Sequence, residues 1–252
     1  MKYLLACLCS LIISTIYAQP DPIDTDRPDQ TESVNLVPKG WTQVEAGFNY
    51  EAESNDHSYV LPDILSKYGL SKRIELRLIT TLQTISESNL YKNKLIIQPI
   101  EIGSKIFLFD EKKLIPRTSF IFHIGIPAFS SKAVRPSMVA PNFRFTMQHT
   151  LSPEVSLGYN LGAEWDGESS IPSYIYTFTV GKTFYKKWYG YIEAFGNMRK
   201  NELPLHSVDG GIAYLINNNV KVDISSGTGI ANNSSNWYIA LGVSARFKTS
   251  KK

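Results

Sequence analysis

Charged residues recur at even spacing along several apolar stretches of this chain. Glu75 and Arg77 are two apart, as are Lys221 and Asp223, and Glu101 and Lys105 are four apart. Glu45, Arg144, Glu164, Glu193, Asp209 and Arg246 also sit singly among apolar neighbours. In an extended strand, even spacing puts side chains on one face. A face that mixes carboxylates and cations has two uses. It lines a hydrated passage whose charges bias what crosses, or its charges satisfy one another in a filled interior, since an unpaired buried ion is costly. The sequence leaves both open.

Patterns for bond-breaking chemistry are weaker. His206, Ser207 and Asp209 are the residue types of a serine hydrolase. Adjacent strand residues point to opposite faces, however, so His206 and Ser207 cannot share a site on a regular strand. The remaining histidines, His57, His123 and His149, are isolated, and a lone histidine is more often structural than a base. Ser225-Ser226-Gly227-Thr228-Gly229 has glycines, but no helix follows to complete a phosphate loop. Asp24, Asp26 and Asp29 lack the loop glycine and distal glutamate of a calcium site. The expectation is a protein that is not an enzyme, with no cofactor and no metal.

The elements that carry these charges are strands. From Trp41 to Phe247 the sequence runs in segments of about ten residues with period-two alternation, separated by turn-forming clusters. The last segment is the cleanest. Trp237, Ile239, Leu241, Val243, Ala245 and Phe247 alternate with Tyr238, Ala240, Gly242, Ser244 and Arg246. Aromatic and β-branched residues, with 14 Tyr and 12 Phe, favour pleated surfaces over helices. Strands are predicted at 41–52, 57–70, 72–86, 95–109, 114–126, 138–151, 153–165, 171–184, 187–198, 205–217, 219–229 and 236–247. Connections at 70–72, 152–153, 185–186 and 217–219 are tight. Those at 87–94, 127–137, 166–170, 199–204 and 230–235 are longer and polar.

A soluble sandwich also alternates, but short turns trading with long loops mark an outer-membrane barrel. The predicted fold class is therefore all-β: a single transmembrane antiparallel barrel of about 12 strands in an up-and-down meander over 41–247, followed by a polar tail at 248–252. Trp41, Trp165, Tyr185, Trp188, Tyr189, Trp237 and Tyr238 lie near strand ends, where amphipathic rings suit the membrane–water interface.

The N-terminus sets the compartment. Lys2, the apolar run Leu4 to Ile13 and the small-residue exit at Ala18 read as a secretory signal peptide over 1–18, cleaved near Ala18. Leu4-Leu5-Ala6-Cys7 follows Lys2 too closely to be a lipoprotein box. Both cysteines, Cys7 and Cys9, leave with the leader, so disulfides and thiolate metal sites are excluded. Loss of Lys2 takes the net charge from +3 to +2, too balanced for a nucleic-acid binder.

Between leader and barrel, residues 19–40 form an extended arm rich in Asp, Pro and Thr. It either enters the lumen, with Asp24, Asp26, Arg27 and Asp29 pairing to wall charges, or turns at the periplasmic rim. Its polarity favours the rim, where it is easily solvated.

The arm also holds a signature: Ile23-Asp24-Thr25-Asp26-Arg27-Pro28-Asp29-Gln30-Thr31-Glu32-Ser33, then Val37-Pro38-Lys39-Gly40-Trp41 and Gln43-Val44-Glu45-Ala46-Gly47-Phe48. It resembles the family of outer-membrane transporters whose label refers to the meta-pathway of phenol degradation, found often in Bacteroidetes. The resemblance implies one barrel in the Gram-negative outer membrane that passes small, aromatic or hydrophobic molecules. It carries over no catalytic residues. The expected partners are outer-membrane lipid, a small-molecule solute and the barrel-assembly machinery, with no nucleic acid and a monomeric state. A plugged structural or surface-binding protein is the alternative, and an outer-membrane hydrolase a more distant one.

Overall fold

The structure, a computed structural model, describes residues 21–53, 56–87, 92–230 and 237–250. Residues 1–20, with Cys7 and Cys9, residues 54–55, 88–91, 231–236 and 251–252, and the side chain of His57 lie outside the described residues.

Alternation becomes thirteen strand segments: β1 (Trp41–Glu53), β2 (Asp56–Gly69), β3 (Ile74–Glu87), β4 (Lys92–Ile97), β5 (Ile100–Phe109), β6 (Arg117–Ile126), β7 (Ala140–Thr150), β8 (Val155–Glu164), β9 (Ser173–Phe184), β10 (Trp188–Arg199), β11 (Leu205–Asn217), β12 (Val220–Gly229) and β13 (Trp237–Lys248). Neighbours in sequence pair antiparallel, and β1 pairs with β13 from Trp41↔Lys248 to Ala52↔Trp237, which closes the ring. The segments β4 and β5 both pair with β3 and continue one another. They are two halves of one stave, so the barrel has 12 strands. The break falls at Gln98-Pro99, because a proline has no N–H to give the ladder. The Gln98 amide still reaches the Thr81 carbonyl at 2.9 Å.

The exposure pattern is inverted relative to a soluble protein. On the outer face Ile192 is 71% exposed and Leu241 54%, while Glu75, Lys105 and Ser244 on the inner face are at 0%. Only hydrocarbon outside and polar contacts inside make that arrangement favourable. The rule of alternation thus settles sandwich against barrel once the exposed face is known.

Turns at one end are tight. Tyr185 and Lys186 adopt left-handed backbone (φ 48° and 62°), and the Lys187 amide closes on the Phe184 carbonyl at 3.2 Å. Two left-handed residues are what a twist-compatible two-residue hairpin requires. At the opposite end the connection after β6 holds two single 3-10 turns, Pro127–Phe129 and Lys132–Val134. Ser131 there caps the free edge of β4, its amide on the Ile97 carbonyl at 2.9 Å and its hydroxyl accepting the Ile97 amide at 3.0 Å. β6 starts at Arg117, three residues later than predicted, because Lys112 and Ile115 close a small bridge of their own before Pro116.

Tyr189 and Tyr238 depart from the expected interfacial belt. Even spacing turns both into the lumen, where their hydroxyls donate to Asp29 (3.2 Å) and to Asp209. Trp188 and Trp237, one residue away, take the outward positions.

Candidate functional site

The arm runs inside the barrel. Its polarity suggested solvation at the rim, but the wall offers something stronger than water, a complementary set of charges and amide partners. Asp26 is 6% exposed and meets Lys67 of β2 at 2.8 Å, Arg77 of β3 at 3.0 Å and Lys105 of β5 at 2.9 Å. Glu32 meets Arg77 at 2.5 Å and Arg144 of β7 at 3.8 Å. Arg27 crosses to Asp223 of β12 at 3.1 Å. Charge-assisted hydrogen bonds of this kind are the strong class.

Wall side chains also hold the arm's backbone, which has no partner strand of its own. Glu45 of β1 accepts the Asp26 amide at 3.0 Å. Glu193 of β10 accepts the Gln30 and Thr31 amides at 2.7 and 2.8 Å, and Glu75 of β3 accepts the Val37 amide at 2.7 Å. Asn160 of β8 accepts the Glu32 amide at 2.8 Å, while Thr146 of β7 and Ser119 of β6 donate to the carbonyls of Glu32 (2.6 Å) and Val34 (2.7 Å). Buried backbone groups must find such partners. Lys221 donates to the Thr25 hydroxyl at 2.7 Å, and Arg246 to the Asp21 carbonyl at 2.6 Å.

Two glycines make room. Gly47 and Gly242 face each other across β1 and β13. A Cβ on Gly47 would lie 2.1 Å from an Arg27 nitrogen, and one on Gly242 would lie 2.4 Å from Arg27 and from Asp223. The guanidinium therefore rests directly on bare backbone.

The arm divides the lumen. A cavity of about 360 Å³ opens on the side of the tight turns, where Ile23, Val34, Met147, Tyr189 and Leu215 stand beside Lys221. A second, of about 400 Å³, lies on the loop side and is lined by Gln30, Asn49, Asp63, Thr81 and Arg144. Asp29 and Glu32 line both, so that stretch of arm is the wall between them. A third cavity of about 390 Å³ sits nearer the loops, against Glu101, Asn142, Glu164, Trp165 and Asp166. Asp166, in the loop after β8, is held down to about 2 by the Glu168 and Ser169 amides (2.8 and 2.9 Å) and by Arg199.

The candidate lumen residues fall into groups. Glu45, Glu75, Arg77 and Lys105 join Asp26 in one buried cluster, and Glu193, Lys221, Asp223 and Arg246 hold other parts of the arm. Asp209 carries Tyr191 and Tyr238, and Glu101 and Glu164 line the outermost cavity apart from the arm. Within the arm, Thr25, Asp26, Arg27, Pro28, Asp29, Gln30, Thr31 and Glu32 all touch the wall. Asp24 offers its carbonyl to Gln43 at 2.6 Å but spends its carboxylate on Ser33 and Asn35 of the arm itself. Sequence reasoning missed Lys67, Gln43, His123 and Asn160. Gln43 and Asn160 are uncharged, His123 stands alone, and Lys67 lies in a stretch without clean alternation. Its register opposite Gln43 is the signal that finds it.

His206 and Ser207 do point apart. His206 accepts or donates at 2.8 Å to Tyr176 on the outward face, and Asp209 lies in the lumen. Among the described residues, no group of His, Cys, Asp and Glu is arranged to hold a metal ion.

Comparison with solved structures shows the same fold. The COG4313 outer membrane channel from Pseudomonas putida F1 superposes with a TM-score of 0.65 at 10% identity, covering 89% of this chain and 100% of that one. The KdgM porin gives 0.53 at 12% identity, covering 81% and 99%. The NanC porin gives 0.53 at 11% identity, covering 80% and 98%. No curated protein matches the sequence. The family described as "Putative MetA-pathway of phenol degradation" matches residues 25–247, from the arm's signature to the end of the last strand, and the chain belongs to it.

Proposed function

We propose that the protein is a channel of the Gram-negative outer membrane through which small molecules pass by diffusion, with the arm as the partition between its two mouths. The observation that carries this reading is the pair of cavities of about 360 and 400 Å³ that meet on opposite sides of Asp29 and Glu32. Volumes in that range suit a small organic molecule. Apolar side chains mixed with Lys221 and Tyr189 in the inner cavity fit an aromatic solute with a polar substituent, the class the family label suggests. In this reading the leader is removed near Ala18, the tight turns face the periplasm, and the barrel works as a monomer among lipid without cofactor or catalysis.

Single-channel recording of the refolded mature chain in planar bilayers tests it. Discrete openings that small aromatic solutes block are expected, and deletion of residues 21–35 should raise the conductance. A folded barrel that stays silent even after that deletion would sink the channel reading. The second reading, a plugged binding or structural protein, draws on the number of strands that grip the arm. It predicts silence in the intact chain and solute binding without current.

A further inference from the structure

Arg77 ties two of the arm's acidic residues together. Nη1 donates to Asp26 at 3.0 Å and Nη2 to Glu32 at 2.5 Å. Nη1 also donates to Glu75 Oε1 on its own strand at 3.1 Å, and Nε goes to His123 Nε2 on β6 at 3.0 Å. From there hydrogen bonds lead away from the arm. His123 Nδ1 contacts Asn142 Oδ1 on β7 at 3.1 Å, and Asn142 Nδ2 donates to Glu101 Oε2 on β5 at 2.7 Å.

The direction of this chain is fixed by its ends. A guanidinium only donates and a carboxylate only accepts. His123 Nε2 must therefore accept from Arg77, which leaves the ring proton on Nδ1 to be given to Asn142. One tautomer of one neutral imidazole satisfies every link. Glu101 and Asn142 line the outermost cavity, whereas Asp26 and Glu32 do not. The chain thus begins at the outer mouth and ends on the residue that clamps the partition.

We infer that His123 and Asn142 are positioning residues, which hold the Arg77 guanidinium in the one orientation that grips Asp26 and Glu32 together and so couple Glu101 in the outer cavity to the seating of the arm. This rests on the reading of the arm as the channel's partition. Without His123, Arg77 keeps its charge and its Nη contacts to Asp26, Glu75 and Glu32 but loses the contact at Nε. The arm is then held by a cation with one donor unmatched. A change at Glu101 reaches Arg77 through these two side chains, Asn142 and His123.

Seating can be read chemically, without current. The sequence beyond residue 20 contains no cysteine, and Val34, on the seated arm itself, is 1% exposed. A V34C chain, folded in detergent micelles, should react with a maleimide only when the arm moves. In that background H123L should speed labelling at least about 10-fold, the factor for one hydrogen bond to a charged group. H123Q, whose amide can accept from Arg77 and donate to Asn142, should return the rate to within about 3-fold of the parent. E101A should speed labelling by about 3-fold or more, and should add nothing in the H123L background, since members of one network are not additive.

Labelling by E101A at the parent rate, or an E101A effect that multiplies with that of H123L, would overturn the coupling. So would H123Q labelling as fast as H123L, because the imidazole would then only fill space. Glu101 lines a cavity, so E101A keeps the barrel intact, and heat-dependent gel mobility checks folding for each variant. A barrel that conducts nothing would defeat the channel reading and leave these rates standing as a measure of seating.

Discussion

Asp26 sits where three cations converge, and that makes it the residue on which the partition depends. Removing one partner of a buried ion cluster ordinarily costs about 3–5 kcal/mol, because the remaining charges are left without compensation. Here Lys67, Arg77 and Lys105 have an escape, since they line a lumen and become hydrated once the arm leaves. The cost of D26N should therefore appear as arm release and not as barrel unfolding. Higher single-channel conductance with little change in thermal unfolding is expected, and conductance equal to the parent would show that the partition is held elsewhere. Asp166 offers a second test at this scale. Amide hydrogen bonds and Arg199 at 2.7 Å hold it down to about 2, below the ordinary carboxylate range near 4. The sign follows: the charged form steadies its loop above pH 4, and that contribution is lost as pH falls through about 2. Trp165, whose indole donates to the Ser170 carbonyl at 3.1 Å, reports on the same loop. Its fluorescence should change with a midpoint near 2, and a midpoint near 4 would contradict the assigned hydrogen bonds.

The strands were legible because alternation marks each strand and its two faces, and the structure turns the apolar face toward lipid. What stayed hidden is where backbone chemistry or register overrides the pattern. Pro99 splits one predicted strand into β4 and β5, since it cannot join the ladder. Tyr189 and Tyr238 look like interfacial aromatics, and only their parity sends them inward. The seat for Arg27 was hidden for a different reason: Gly47 and Gly242 lie far apart in sequence and become one feature only when β1 meets β13. G47L should push Arg27 off the wall and raise conductance as D26N does, while G210L, on the outward face of β11, should not. The turn between β9 and β10 carries strain that the sequence alone does not reveal. Lys186 is held at a φ of 62° without being glycine. K186G should stabilise the barrel by about 1 kcal/mol, as a non-glycine residue gives up that much to enter the left-handed region. Urea unfolding of the two proteins compares them directly.

At the scale of the whole molecule, the container was legible in the alternation of the strands, and its filling was not. The placement of the arm turned on a competition between solvation and a complementary wall. That competition is invisible until strands distant in sequence, β2, β3, β5, β10 and β12, share one lumen. The arm's contacts reach from β1 to β13, and this has a consequence for assembly. The arm precedes every strand in the chain, yet Arg27 finds Asp223 and the Leu241 carbonyl only after the last strands are in place. Its bonds are complete at one circumference alone. A ring closed with a strand missing, or with β13 slipped by two residues along β1, would bring Arg246 and Asp223 to the wrong heights and leave Asp21 and Arg27 unmatched. The segment that divides the lumen is thereby also a gauge of its size, built into the protein ahead of the wall it measures.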